Sequence, residues 1–158
     1  MVPGARPGAV VTRFEELAWD QLSAHALYEA LALRQRVFVV EQDCVYLDAD
    51  GKDRIARHLF AWEGAQLVAY ARLLPEGARF AERSIGRVVV APEARGRGLA
   101  RTLMERAIAS IREAHGPVPI ALSAQAHLER FYASLGFART SAVYDEDGIP
   151  HVDMRNDA

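Results

Sequence analysis

The chain has one cysteine, Cys44, in 158 residues. No internal disulfide is available, and a reducing, cytoplasmic setting is the natural expectation. Nothing beside Cys44 suggests an activated thiol, so it reads as an ordinary small residue. Long hydrophobic runs are also missing. Although 51% of the residues are hydrophobic, no run reaches the roughly 18 needed to cross a bilayer, so no membrane partner is expected. Positive charge is not in excess: 19 Lys and Arg stand against 21 Asp and Glu. That balance argues against a nucleic-acid partner. The five histidines lack HExxH or similar spacing, and no metal is expected. The stretch Asp48-Ala49-Asp50-Gly51-Lys52-Asp53 invites a calcium-loop comparison. Such a loop needs an oxygen ligand at its fifth position and Gly at its sixth, where this chain has Lys52 and Asp53. A solvated acidic loop is expected instead.

The length suits one domain with a substantial core. Residues 1–9 carry Pro and Gly without the apolar stretch of a signal peptide, and are expected to be a flexible tail before a single domain over 10–158. A first strand is predicted from Val10 to Trp19, then a helix from Leu22 to Phe38 with Leu27, Ala30, Leu31 and Phe38 near one face. Glu41 to Asp53 reads as a loop with a short helix. His58–Trp62 and Leu67–Leu74 read as strands joined through Gly64. Ser84–Val90 ends in the β-branched run Val88-Val89-Val90, the mark of a strand deep in a sheet. Leu99, Leu103, Met104, Ala107, Ile108 and Ile111 give a long amphipathic helix, ended by Gly116-Pro117. A strand over Ile120–Ser123 and a helix with Leu128, Phe131, Tyr132 and Leu135 on one stripe follow, with Gly136 closing the helix. Arg139–Tyr144, a turn at Asp145-Glu146-Asp147-Gly148, and Ile149–Met154 read as a closing hairpin. The mixture points to a layered α/β (α+β) domain with a mixed sheet.

The richest segment is Val88-Val89-Val90-Ala91-Pro92-Glu93-Ala94-Arg95-Gly96-Arg97-Gly98-Leu99-Ala100-Arg101. A buried strand runs into a glycine-rich turn and then a helix. Glycine admits close approach to the backbone. The unpaired N–H groups and positive end of the helix make an anion site, best filled by phosphate. Arg95, Arg97 and Arg101 add charge. A Walker loop would need Lys and then Ser or Thr where Leu99-Ala100 stand. A dinucleotide fingerprint would need Gly in place of Arg101 and an acidic residue about 20 positions on, where the apolar Ile120-Ala121-Leu122 lies.

Arg95-Gly96-Arg97-Gly98-Leu99-Ala100 does match the acetyl-coenzyme A loop of the GNAT N-acetyltransferases, and the chain resembles that family further. Ser123 to Phe137 looks like its second element, with Tyr132 on the family's Tyr, Gly136-Phe137 on its Gly-Phe, and Gln125 in place of its usual Asn. Arg36 to Cys44, Asp48-Ala49-Asp50 and Tyr144 to His151 look like the ElaA-like branch. The likeness runs from about Leu22 to Met154 and implies a mostly antiparallel sheet of about six to seven strands with about four helices around it.

The resemblance implies acetyl-coenzyme A as co-substrate, without a metal. Main-chain amides of Gly96, Arg97, Gly98, Leu99, Ala100 and Arg101 would hold its pyrophosphate, with Arg95 opening the loop. Val88 and Val90 would pair with the pantetheine arm, and Gln125 would make a further contact. The acetyl group would pass directly to a small amine or a protein amine in a ternary complex. Tyr132 would act as general acid towards the departing thiolate. Many members carry a Glu on the strand before the loop as base, whereas this chain has Ile85-Gly86-Arg87-Val88. Glu41 is the first candidate for that role, followed by His58, His151 and Asp145, each of which also suits a structural or solvated position. Many relatives pair, so a homodimer is one expected assembly. A non-catalytic acyl-coenzyme A sensor stays open as the alternative, favoured slightly by the missing strand acid.

Overall fold

The structure is a computed structural model that describes residues 11–157. Residue Val10 and the expected tail over 1–9 lie outside the described residues. The elements run β1 (Arg13–Ala18), α1 (Ala24–Arg34), β2 (Arg57–Glu63), β3 (Gln66–Leu74), β4 (Arg83–Val90), α2 (Leu99–His115), β5 (Ile120–Gln125), α3 (Glu129–Ala133), β6 (Ala138–Arg139), β7 (Tyr144–Glu146) and β8 (Ile149–Asn156). The described strands form one sheet of eight in the order β1-β2-β3-β4-β5-β8-β6, with β7 also on β8. Every pairing is antiparallel except β4 with β5. This is the mixed α/β architecture expected, with more strands and fewer α-helices than anticipated.

Local chemistry sets the elements. The Ser23 hydroxyl caps α1 by accepting from the Ala26 amide at 3.0 Å. The expected helix continues past Arg34 but widens into a π-helical stretch, Gln35–Glu41. There the Gln42 amide reaches back to the Val37 carbonyl and the Cys44 amide to that of Val39. Such widened turns occur frequently at functional sites. Helix α2 buries Leu99, Leu103, Met104, Ala107 and Ile111 against the sheet, the stripe its periodicity predicts. The β2–β3 turn has Gly64 at its first central position with φ 61°, which is the type II′ pattern.

Two expectations change. The closing hairpin turns at Asp147-Gly148 alone, both with positive φ as a type I′ turn requires. Tyr144–Glu146 is therefore the strand opposite Ile149–His151, and the segment before it supplies only the two residues of β6. The second change concerns Asp48–Asp53, which is not a solvated loop. Asp48 and Asp53 are buried among three arginines from three other elements. Arg34 Nε donates to Asp48 at 2.8 Å and its Nη1 to Asp53 at 2.7 Å. Arg72 donates to both Asp50 oxygens at 2.8 Å and to Asp53 at 3.0 Å. Arg87 Nε donates to Asp48 at 2.9 Å. Three carboxylates thus balance three guanidiniums, which lets this much charge leave water.

Candidate active site

Strand β4 is regular against β3 until its middle. There Tyr70 pairs with Val89 and Arg72 with Gly86, so Ala71 faces both Arg87 and Val88. This is a β-bulge, which bends the strand and increases its twist. Arg87 takes φ 49°, a conformation that glycine would adopt at less cost. Its guanidinium is held by Asp48, so the buried charge cluster fixes the bulge from behind.

On its other side β4 pairs with β5 only through Arg83–Ile120 and Ser84–Ala121. Beyond those pairs the strands part, leaving the edge of β4 from Ile85 to Val90 open towards β5. Main-chain groups alternate in direction along a strand. The Ala91 amide points to β3, where it donates to Val68 O at 2.8 Å. The amides of Val88 and Val90 therefore point into the gap.

The gap is part of a cleft of about 810 Å³ bordered by β4, β5, the π-helical stretch, α3 and the β7–β8 turn. The 95–101 loop lies at its end. Gly96 and Gly98 both have positive φ, 79° and 74°, and a side-chain atom added at either would meet nothing within 4 Å. Conformation, not crowding by the protein, requires these glycines, and the space outside them is open. Gly98 caps α2 without any side-chain hydrogen bond. The first main-chain bond back into the loop is from Thr102 to Gly98, at 3.2 Å. The amides from Gly96 to Arg101 thus sit at an uncapped helix start, where N–H groups have no partner within the helix. An oxyanion with several acceptor oxygens, such as a pyrophosphate, fits this cradle, and an extended arm bearing amides fits the open edge of β4.

The arginines of the loop are less free than their sequence suggests. Arg95 donates to Glu41 at 2.8 Å, Arg97 to Glu63 at 2.6 Å, and Arg101 to Ser134 at 2.5 Å. Main-chain amides are therefore the unclaimed donors of this loop. Val88, Val90, Arg95, Ala100, Gln125, Tyr132 and Glu41 all border the cleft, so the structure brings the donor-side candidates together. Gln125 donates to the side-chain oxygen of Gln42 at 3.2 Å, bridging β5 to the turn after the π-helical stretch. Tyr132 is buried, and burial pushes its phenol up to about 12. No described residue hydrogen-bonds its hydroxyl.

The base candidates separate. His58 is wholly buried away from the cleft: its Nδ1 accepts from the Tyr70 hydroxyl at 2.6 Å and its Nε2 donates to the Asp53 carbonyl at 2.8 Å. Asp145 is exposed and caps its own turn, accepting from the Gly148 amide at 3.0 Å. Glu41 and His151 border the cleft. Cys44 does too, with its thiol donating to the Asp147 carbonyl at 3.3 Å. Sequence reasoning overlooked a hydroxyl chain on the cleft wall. Ser123 donates to Tyr144 at 2.5 Å, and Tyr144 donates to Asp153 at 2.6 Å. Its signal was the alternation of Ser123 and Asp153 with buried apolar neighbours on β5 and β8.

Comparison with known proteins agrees with this geometry. Residues 15–158 match the acetyltransferase (GNAT) domain family. A UPF0039 protein of Synechocystis is 44% identical over 137 residues, covering 86% of this chain and 89% of that protein. Protein ElaA of Escherichia coli is 42% identical over 143 residues, covering 89% and 94%. Among solved structures, an acyl-CoA N-acyltransferase from Pseudomonas aeruginosa superposes with a TM-score of 0.88 at 42% identity, covering 92% of this chain and 99% of that one. Escherichia coli ElaA gives 0.87 at 40% identity, with the same coverage. The parted strands, the uncapped glycine loop and these relatives agree: the chain belongs to the GNAT acetyltransferase family, in its ElaA-like branch.

Proposed function

We propose that the protein is an N-acetyltransferase that moves the acetyl group of acetyl-coenzyme A to an amine in a ternary complex. The observation that carries this reading is the parting of β4 from β5 up to a helix start with six unclaimed amides. That arrangement offers one continuous path for a pyrophosphate and an amide-bearing arm. The reading includes pyrophosphate held by amides from Gly96 to Arg101, the arm along Val88 and Val90, and a contact from Gln125. The Val88 amide is the donor we assign to the thioester oxygen as negative charge develops there. Tyr132 would supply the proton to the thiolate: its phenol, pushed further up by burial, is protonated at neutral pH, and no described residue hydrogen-bonds its hydroxyl. The acceptor would be a small amine or a protein amine, and the setting the cytoplasm.

An ammonium cannot attack a carbonyl, so a base must first remove a proton. Glu41, the first candidate from sequence, lies at the loop end of the cleft on Arg95.

The test combines calorimetry with acetyl-coenzyme A and a thiol-release assay across a panel of amines. Binding together with amine-dependent release supports the reading. Tight binding without release on any amine would instead favour a sensor of acyl-coenzyme A, and absence of binding would remove both.

A further inference from the structure

We propose that His151 is the general base of this enzyme, with Glu146 beside the nitrogen that takes the proton. The assignment rests on the acetyl-transfer reading above. His151 lies on β8 opposite both Gln125 of β5 and Tyr144 of β7. Directly opposed residues share a face of the sheet. That face is the one on which Gln125 meets Gln42 across the cleft, and the imidazole borders the cleft itself.

The tautomer follows from one hydrogen bond. His151 Nδ1 lies 2.7 Å from the carbonyl oxygen of Ile149. A carbonyl can only accept, so the proton is on Nδ1. The neutral ring then has its lone pair on Nε2, the atom a base must use. This reverses the arrangement in His58, whose Nε2 carries the proton and whose Nδ1 is already occupied. Glu146 Oε2 stands 3.5 Å from His151 Nε2; the neutral ring has no proton there to donate, and the carboxylate lies beside the place where the substrate proton arrives. The Tyr144 ring stacks on the imidazole at 6.0 Å, and the Ser123–Tyr144–Asp153 chain locks that phenol. The other charged or titratable groups here are Arg79, paired with Glu146 at 3.4 Å, and Asp147 and His127 on the cleft border.

Protons balance as follows. The acceptor ammonium gives one proton to His151 Nε2, and its freed lone pair forms the new N–C bond. The C–S bond breaks and the thiolate takes the Tyr132 proton. The amide nitrogen sheds its second proton, which restores the phenol through solvent, and His151 releases its own to bulk water. One proton is produced per turnover.

The experiment compares two kinds of probe amine. Phenethylamine is an ammonium at neutral pH and needs a base. A simple hydrazide is already neutral and does not. His151→Gln should lose about 10²-fold in kcat with phenethylamine and little with the hydrazide, while its affinity for acetyl-coenzyme A and its melting temperature stay near wild type. Equal losses on both probes would make His151 structural, and no loss on either would overturn the assignment while leaving acetyl transfer standing. If the wild type releases thiol with neither probe nor any other amine, the function reading fails and the base falls with it. A readout independent of turnover is long-range ¹H–¹⁵N NMR of the wild-type protein, which should show the Nδ1–H tautomer for His151. The Nε2–H tautomer would overturn the proposal.

Discussion

Arg34 on α1 and Asp53 in the turn before β2 meet at 2.7 Å, with both side chains almost wholly removed from water. Asp53 also receives Arg72, while Asp48 joins Arg34 to Arg87. Taking one partner away strands the others. Arg34→Met should therefore cost about 3–5 kcal/mol in urea denaturation, the usual scale for breaking a buried ion pair. A loss below about 1 kcal/mol would show that the cluster is open to water.

The same region makes stability depend on pH in two separate windows. Burial pushes the His58 imidazole down from its ordinary value, so the unfolded chain binds that proton more readily than the folded one. The contribution of neutral His58 is complete at high pH and is lost as pH falls below about 6.5, by at most about 1.4 kcal/mol per pH unit. His58→Gln should flatten this limb of a stability-against-pH curve. Burial opposes ionisation of Asp50 and Asp53, but hydrogen bonds from Arg72 to Asp50 and from Arg34 to Asp53 outweigh it and hold both carboxyls below their ordinary values. Their contribution is intact above about pH 4 and is lost only as pH falls further.

Tyr132→Phe separates catalysis from structure. The hydroxyl makes no hydrogen bond to a described residue, so its removal should leave the urea midpoint nearly unchanged. If the phenol is the acid, kcat should fall by about 10²-fold with little change in affinity for acetyl-coenzyme A. An unchanged kcat would assign protonation of the thiolate to another group.

Gly98 should show the opposite division. Its φ of 74° makes Gly98→Ala cost about 1 kcal/mol of stability, measurable by denaturation. Gly98→Glu puts bulk and negative charge at the open mouth of the cradle and should abolish binding of acetyl-coenzyme A in calorimetry. Retained affinity would move the pyrophosphate elsewhere.

Much of this was legible because local pattern decided it. The stripe from Leu99 to Ile111, the β-branched end of β4 and the Arg95–Ala100 loop depend on neighbours in the chain, and a reader of the chain sees those neighbours. Asp48, Asp50 and Asp53 were misread because their partners are 14 to 39 positions away. A carboxylate looks the same in sequence whether water or a guanidinium surrounds it. A trace was present nonetheless: Arg72 interrupts the otherwise apolar run from Leu67 to Leu74, and a charge in a buried strand requires a counter-charge. The positive φ of Arg87 left no such trace, since its cause is the cluster itself. His151 was one candidate among several until the Ile149 carbonyl fixed where its proton sits.

The parting of β4 and β5 has a consequence for exchange with solvent. Amides on central strands of a sheet ordinarily exchange last, because each is closed on both sides. Here Val88 and Val90 lie near the middle of the strand order yet face a gap, so in deuterium their amides should exchange like those of a sheet's rim. A donor molecule that closes the gap would slow them, and the protection it confers would map, residue by residue, how far along β4 the bound arm extends.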